Sequence, residues 1–506
     1  MSKSQLKKGI LLSYVVIGLN TIVGLSYTPY MLRMLGKNEY GLYSLVISVI
    51  GYLTILDLGF GNAIVRYTAK YRAEGKLEEQ YSMFGMFLLM YSGIGVVALL
   101  IGLFFYFNVS YLFGNTMTEV ELTKAGIMVL IMVFNLAISF PFSIFGSIIT
   151  AYEKFVFQKS IQILRIVLNT LIMVLILEMG YRAIGMVVVV SVFNVLTLFI
   201  NYIYCKFKLH IKIIFKKIEL VFFKEIAIYS FYIFLGVIMD KIYWSSGQFI
   251  LGAVIGTAAI AVFAVAIQLQ GLYMSFSQAV TGVFLPKITG MVVEKNSETA
   301  VSEVFIKTGR IQFIVMSFIL TGFILFGKNF VILWAGKGYE KAYYMALLFF
   351  IPLTVPLIQN LGIAILQARN QMKFRSIMYF LISILSIVLQ IPLAKKFGGI
   401  GIAIAISISI FLGQIIVMNI YYHIKQKINI LKFWSEIFKM AIAPILVGAL
   451  IYYLKTLFPI NTLLEFLIGI LFFAFLYIPC FWFFSMNKYE KNIIIQPLKR
   501  ILKLRN

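Results

Sequence analysis

Two carboxylates stand inside long apolar stretches of this sequence, and they are the residues best suited to chemistry. Asp57 occurs in TILDLGFGNAIVRYTAKY (Thr54–Tyr71), which also contains Arg66, and Asp240 occurs in a later apolar stretch beside Lys241. A charge at membrane depth is costly unless it is paired or hydrated. We therefore expect both carboxylates to face the protein interior or a water-filled cavity, either as functional groups or in structural ion pairs.

The partner of each carboxylate is less clear from the spacing. Adjacent side chains on a helix point about 100° apart, so Lys241 is not the partner of Asp240 across the helix surface. Asp57 and Arg66 fall on opposite faces of a straight helix. The glycines of the intervening LGFGN segment could bend that helix, so the sequence leaves open whether Asp57 and Arg66 pair.

Four apolar stretches carry small or polar residues at a helical spacing of three or four. Such residues let helices pack closely and hydrogen-bond to one another, or they line a cavity. A tyrosine face beside Asp240 also suits a sugar ring, which takes apolar contact and a hydrogen bond; core packing is the equal alternative. The stripes are Ser13, Asn20, Gly24 and Tyr27; Thr54, Asp57, Gly61 and Thr68; Tyr229, Tyr232, Gly236, Asp240, Tyr243 and Gly247; and Gln268, Gly271, Ser275, Gln278 and Gly282.

Arginines near the ends of the apolar stretches are candidates for phosphate contact, because the guanidinium forks onto phosphate oxygens. For each one singly, we expect the side chain to extend to the lipid headgroups instead. These residues are Arg33, Arg165, Arg310 and Arg369.

The elements that position these residues are membrane helices. Of the 506 residues, 61% are hydrophobic and 12% charged, and the mean hydropathy is +0.97. A soluble chain of this size needs more polar residues to cover its surface. We predict an all-α polytopic membrane protein with about fourteen spans, at residues 10–34, 40–65, 82–107, 124–150, 161–178, 184–204, 226–253, 258–286, 304–327, 342–367, 376–394, 400–422, 437–456 and 462–485.

The net charge of +25 follows the membrane topology and does not indicate nucleic acid. With these spans, about three quarters of the 44 Lys and Arg residues lie on the side that holds both termini, which predicts cytoplasmic termini. The densest segments, KFKLHIKIIFKK (Lys206–Lys217) and KRILKLRN (Lys499–Asn506), are typical of contact with anionic headgroups.

Several catalytic classes are disfavoured. Two cysteines and two histidines, the latter in basic loops, do not make a metal cluster, a disulfide framework or a Ser-His-acid set. No glycine loop followed by Lys cradles a nucleotide. The loops on the non-cytoplasmic side are short. We therefore expect neither an enzyme nor a resident cofactor or metal.

The two halves of the chain resemble each other in register. GSIITAYEKFVFQKSI (Gly146–Ile161) aligns without a gap on GIAILQARNQMKFRSI (Gly362–Ile377), an offset of 216 residues. Both segments join spans that run in the same direction, which predicts a parallel repeat of two six-helix lobes. The predicted boundaries are 1–204 for the first lobe, 205–424 for the second with a basic linker at 205–224, and 425–506 for two further helices and a basic tail.

The sequence resembles a known transporter family. YTPYMLRMLGKNEYGLYSL (Tyr27–Leu45), LDLGFGNAIVRYTAKY (Leu56–Tyr71), FLPKIT (Phe284–Thr289) and the KFGGIGIAIA turn (Lys396–Ala405) are similar to the polysaccharide transporter family. These are the Wzx-type flippases of the multidrug/oligosaccharidyl-lipid/polysaccharide (MOP) superfamily, and the resemblance covers essentially the whole chain.

The resemblance implies a MATE-like fold and the translocation of undecaprenyl-diphosphate-linked oligosaccharides for capsule, O-antigen or exopolysaccharide synthesis. It places the protein in the bacterial cytoplasmic membrane, beside membrane lipids and the polysaccharide polymerase and chain-length machinery. It implies an H⁺ or Na⁺ gradient as driver. Asp57, Arg66 and Arg33 match the family's charged positions, Asp240 occupies a commonly polar position, and Lys241 has no clear counterpart. A cation-coupled multidrug-type exporter of the same fold and a membrane-bound glycan polymerase or ligase are the alternatives.

Overall fold

The protein is described here by a computed structural model that covers residues 3–215, 220–293, 298–369, 371–458, 460 and 462–501. Within these ranges, the side chains of 3–10, 220–233, 235–237, 279–289, 292–293, 494 and 497–501 lie outside the description.

The described chain is almost entirely helical. The helices are α1 (Lys3–Leu53), α2 (Phe60–Glu74), α3 (Leu77–Phe113), α4 (Glu119–Ala151), α5 (Phe155–Glu178), α6 (Ala183–Phe207), α7 (Leu220–Val254), α8 (Thr257–Val293), α9 (Glu298–Ala335), α10 (Lys341–Ile358), α11 (Leu361–Ala368), α12 (Met372–Ile410), α13 (Met418–Ile424), α14 (Ile430–Leu457), α15 (Leu463–Phe484) and α16 (Lys488–Ile501). A 3₁₀ turn at Thr54–Asp57 separates α1 from α2, and a π-helical segment at Phe411–Val417 joins α12 to α13.

The number of membrane spans agrees with the sequence prediction. Eleven helical stretches of the described chain are long and apolar enough to cross a bilayer. Two of them, Leu11–Glu74 and Met372–Ile424, are double spans that bend at Gly36 (φ 73°) and Gly398 (φ 61°). Counting each as two and adding the 35-residue α7 gives the fourteen predicted spans. The all-α polytopic fold is therefore confirmed.

The helices form two compact units. The first contains residues 1–264 and 394–399, in which α4 packs against α3 and α6, and α1 packs against α5 and α7. The second contains residues 265–393 and 400–506, in which α9 packs against α10, α14 and α15. The predicted lobe boundaries rest on the internal repeat, which packing does not test, and they stay a prediction; by packing alone, α7 belongs with the first unit.

Helix junctions recur at the spacing of the predicted repeat. The chain leaves α4 at Ala151 and enters α5 at Phe155, and it leaves α11 at Ala368 and enters α12 at Met372. These junctions are separated by the predicted offset to within one residue. The two halves differ in span two, which is interrupted before α2, whereas its counterpart α8 is continuous over Thr257–Val293.

Candidate functional site

The interruption of span two lies directly at Asp57. After the 3₁₀ turn that ends at Asp57, Leu58 (φ 53°) and Gly59 (φ 74°) both adopt left-handed backbone conformations, and α2 begins at Phe60. A left-handed residue cannot continue a right-handed helix, and it is costly for a residue with a Cβ such as Leu58. The bend that the sequence left open is present, so the predicted continuous stripe of Thr54, Asp57, Gly61 and Thr68 is wrong. The break places the carboxylate at the end of a broken membrane helix, a position at which transporters bind substrates and ions.

Two neutral donors hold the Asp57 carboxylate. The Tyr91 hydroxyl on α3 donates to Asp57 Oδ1 over 2.8 Å, and the Gly59 backbone N–H also donates to this carboxylate. The Tyr91 ring is fully buried between Phe60, which meets it edge-on, and Phe140, which stacks on it. Since the ring is fixed by packing, the hydroxyl is a preorganised donor, and the half-buried carboxylate has a defined orientation.

The sequence left open whether Asp57 and Arg66 pair. Arg66 is exposed on α2, and its guanidinium lies 5.7 Å from the centroid of the Tyr67 ring. Within the described residues, Asp57 does not form an ion pair with Arg66. Arg33 is exposed on α1, close to the bend at Gly36. Within the part of the chain that the structure describes, the stabilising contacts of Asp57 are the hydrogen bonds from Tyr91 and Gly59.

Lys241 on α7 approaches the same part of span two. Its Nζ lies 3.5 Å from the point that a Cβ on Gly51 would occupy, and Gly51 lies in the last turn of α1, just before the 3₁₀ turn that ends at Asp57. The first unit thus brings Lys241 to the helix segment that carries Asp57. Its neighbour Asp240 is exposed.

The remaining predicted site residues are more dispersed. Tyr243 is buried and packs against Trp244 with ring centroids 5.3 Å apart, so its ring is not available to a sugar in this conformation. The side chains of Tyr229 and Tyr232 lie outside the described residues. Asn20 is exposed on α1, and in the second unit Gln268 is half-buried and Gln278 exposed on α8. Their roles in substrate contact stay predictions.

Sequence reasoning missed Tyr91, which lies 34 residues from Asp57 along the chain. One tyrosine among 30 carries no signal of its own.

The expectation that Arg310 extends to the headgroups was wrong. Arg310 is 5% exposed, and it binds Glu490 and Glu436 because α14 and α16 pack over it. Arg369 also turns inward and donates to the backbone oxygen and side chain of Gln426.

Solved structures show the same fold. The chain is similar to the lipid II flippase MurJ in an inward closed conformation, with a TM-score of 0.72 and 18% identity over 97% of this chain and 99% of that one. It is similar to an inward-facing multidrug resistance MATE family transporter of the MOP superfamily, with a TM-score of 0.64 and 15% identity over 82% of this chain and 99% of that one. A MOP superfamily transporter from Pyrococcus furiosus gives a TM-score of 0.57 and 13% identity over 84% and 95% of the two chains. At these identities the similarity establishes a MOP-type transporter fold.

The sequence itself gives the family. Residues 6–292, more than half of the chain, match the family described as "Polysaccharide biosynthesis protein". The chain belongs to this family, as the resemblance in its motifs predicted. Comparison with curated protein sequences gives no match.

Proposed function

We propose that the protein is a flippase that moves undecaprenyl-diphosphate-linked oligosaccharide units across the bacterial cytoplasmic membrane by alternating access. The observation that carries the proposal is the family match over residues 6–292, which includes the interrupted span two with Asp57. A transporter fold in a polysaccharide biosynthesis family supports a membrane-bound intermediate as the substrate. The large polar head of such an intermediate cannot cross hydrocarbon unaided.

Asp57 is the candidate coupling residue in this proposal. Its carboxylate is held by Tyr91 and Gly59, both neutral, so that a proton or a Na⁺ ion can neutralise it without displacing a fixed cation. One charge moved through 100 mV of membrane potential is worth about 2.3 kcal/mol, enough to bias two conformations strongly. In the cycle we propose, Asp57 binds the ion in one of the two states only.

The cationic residues of the first unit are candidates for the diphosphate. Lys241 is the strongest of them, because its ammonium group lies beside the helix segment that carries Asp57. A substrate diphosphate bound there would interact with the carboxylate through repulsion, which provides a direct link between substrate binding and neutralisation of Asp57. Arg33 and Arg66 are the other candidates.

A cation-coupled multidrug exporter is the second candidate function, since a multidrug transporter shares this fold. Such an exporter favours cationic substrates and an acid-rich cavity. This chain has 19 acidic residues against 44 basic ones, and few of the acids lie inside spans. The scarcity of acids inside spans therefore disfavours a cationic substrate.

The membrane orientation and the partners of the flippase follow from the same proposal. Both termini face the cytoplasm, as the distribution of Lys and Arg predicts. The product would pass to a polymerase and chain-length machinery for capsule, O-antigen or exopolysaccharide synthesis.

Translocation in proteoliposomes tests the function. Vesicles that contain the purified protein and a fluorescent undecaprenyl-diphosphate oligosaccharide are exposed to a membrane-impermeant quencher, with and without an imposed pH or Na⁺ gradient. We expect the quenchable fraction to change faster with protein and gradient. Equal rates in protein-free vesicles, together with gradient-driven uptake of a cationic dye, would support the exporter instead.

A further inference from the structure

A cavity of about 550 Å³ opens between the paired ends of α12 and α13 in the second unit. It lies on the side of the membrane that holds the termini in the predicted topology. Its polar lining consists of Gln371, Lys373, Tyr421, Lys425 and Gln426.

Spans eleven and twelve pack against each other beside this cavity. Gly413, in the π-helical segment, approaches α12 so closely that a Cβ there would lie 2.5 Å from Ile382. Spans eleven and twelve are therefore in direct contact at this level. Eight residues further toward the basic loops, roughly 12 Å along each helix, the rings of Phe374 and Tyr421 stack 4.0 Å apart and line the cavity.

Hydrogen bonds fix the side chains at the polar end of the cavity. Gln426 is 1% exposed, and its Nε2 donates to Gln371 Oε1 over 2.7 Å. Arg369 donates to Gln426 Oε1 over 3.1 Å and so places a guanidinium immediately behind the amide. Lys373 and Lys425 stand exposed, one on α12 and one just after α13. Two lysines thus flank a fixed amide pair with a third cation behind it.

The charged residues that line this cavity, Lys373 and Lys425, are both basic, and the nearby Glu298 on α9 pairs with Lys427. Between Glu340 and Glu436 the sequence contains no acidic residue, so no carboxylate of this segment competes for the lysines. An anion is therefore the complementary ligand. Basic pockets between membrane helices are typical sites for phosphate-bearing lipid headgroups.

The surface next to the cavity is apolar and continuous with it. On α12, the exposed large side chains Ile377, Leu381, Ile384 and Val388 follow one another toward the membrane interior. On the neighbouring span, Ile416, Ile420 and Ile424 are exposed in the same way. Acyl chains fit such a surface, whereas a free phosphate makes no use of it.

We propose that this cavity binds the phosphate headgroup of an anionic glycerophospholipid, with Lys373 and Lys425 contacting the phosphate and the acyl chains lying along α12 and span twelve. This site belongs to the second unit alone and does not rest on the transport function proposed above. Its ligand is a lipid of the bilayer, distinct from a transported intermediate.

Native mass spectrometry of the full-length protein in detergent tests the proposal, with diphosphatidylglycerol and phosphatidylcholine as probes. The double variant Lys373→Gln/Lys425→Gln is compared with Lys395→Gln/Lys396→Gln. The second variant removes two exposed lysines that lie away from the cavity, just before the bend of α12 at Gly398. We expect the first bound diphosphatidylglycerol to dissociate about 30-fold more readily from the former, and less than about threefold more readily from the latter.

A second variant tests the shape of the cavity without changing its charge. Ile377→Trp keeps both lysines but fills the apolar end of the cavity, and we expect it to weaken binding of the same lipid while leaving the thermal unfolding midpoint within about two degrees of the wild type. Equal losses in both double lysine variants would show general attraction to anionic lipid and overturn the proposal. Complete competition by inorganic pyrophosphate, or a preference for undecaprenyl phosphate, would also overturn it.

Discussion

The Tyr91 hydroxyl donates a hydrogen bond of 2.8 Å to the Asp57 carboxylate, which stands where span two is interrupted. The aromatic packing of Phe60 and Phe140 fixes the donor, and the left-handed backbone at Leu58 and Gly59 fixes the acceptor. This arrangement gives a membrane carboxylate a single orientation without neutralising its charge. It is the feature of the first unit from which the proposed coupling role follows most directly.

Substitution of Asp57 by Asn tests that coupling role. The amide retains the size of the carboxyl group and can still accept the Tyr91 hydrogen bond, but it cannot take up a proton or bind a cation by charge. We expect gradient-driven translocation in proteoliposomes to fall by on the order of tenfold or more, with no loss of expression. Glu119→Gln, at the exposed start of α4, is the matched control and should transport normally. Wild-type, gradient-dependent rates in Asp57→Asn would contradict the role.

Removal of the Tyr91 hydroxyl tests the donor separately. Tyr91→Phe preserves the ring packing and deletes one hydrogen bond to an ionisable group, so we expect a destabilisation of about 1.5–3 kcal/mol. The thermal unfolding midpoint in one detergent gives the measurement. Tyr111→Phe, whose ring is 86% exposed, is the control and should have little effect. If both variants unfold at the same temperature, the hydrogen bond does not order the site.

The sequence predicted the spans well because a bilayer imposes a length and an apolar composition on each of them. It left a bend near Asp57 open, since glycine is the residue that most readily leaves the helical conformation, but it also placed Thr54, Asp57, Gly61 and Thr68 on one continuous helix, which the structure interrupts. It did not show that Leu58 shares that bend. The αL conformation of a leucine is set by the packing of the broken helix, and local propensity argues against it.

The polar contacts were harder to predict, because they join residues that are distant in the chain. Tyr91 reaches Asp57 from α3, and Glu490 reaches Arg310 from a helix 180 residues later. A charged residue near a span end gives the same sequence signal whether it faces headgroups or a buried partner. Only the packing of the helices distinguishes the two cases, as Arg310 shows.

The bend of α1 at Gly36 should be sensitive to side-chain addition for a purely conformational reason. A Cβ on Gly36 would meet nothing within 4 Å, yet the residue has φ 73°. Gly36→Ala should therefore destabilise the protein by about 1–2 kcal/mol. Gly18→Ala, equally free of contacts but in the interior of the helix, should instead be neutral or stabilising by up to about 1 kcal/mol. We expect the unfolding midpoints of Gly36→Ala and Gly18→Ala to shift in opposite directions. Shifts in the same direction would show that the backbone at Gly36 accepts alanine without strain.

The membrane topology can be measured with single cysteines. In a background with Cys205 and Cys480 replaced by Ala, we expect Asn115→Cys to react with a membrane-impermeant maleimide added to intact cells. Lys208→Cys should react only after the membrane is permeabilised, because basic loops are retained in the cytoplasm. Both positions are exposed, so that a difference reports sidedness rather than burial. The reverse pattern would place the termini outside.

The cluster around Arg310 ties the terminal helix to the second unit, and its removal should be costly. Arg310 Nε lies 2.5 Å from Glu490 Oε1, and Arg310 Nη1 lies 2.7 Å from Glu436 Oε2. Arg310 Nη2 also donates to the Ser485 carbonyl over 3.1 Å. Arg310→Met would leave the buried Glu490 without its cation, a loss of about 3–5 kcal/mol.

A double variant distinguishes the ion pair from mere packing. Arg310→Met/Glu490→Leu removes both buried charges, so its unfolding midpoint should lie above that of Arg310→Met although it carries one more substitution. Lys307→Met, which breaks the exposed pair with Glu303 one turn earlier on α9, should cost less than about 1 kcal/mol. Limited proteolysis supplies a second measurement, because loss of the Arg310 contacts should expose Lys488 and Lys491 in α16 to trypsin. If Arg310→Met is no more labile than Lys307→Met in both assays, α16 is held by its apolar face rather than by this cluster.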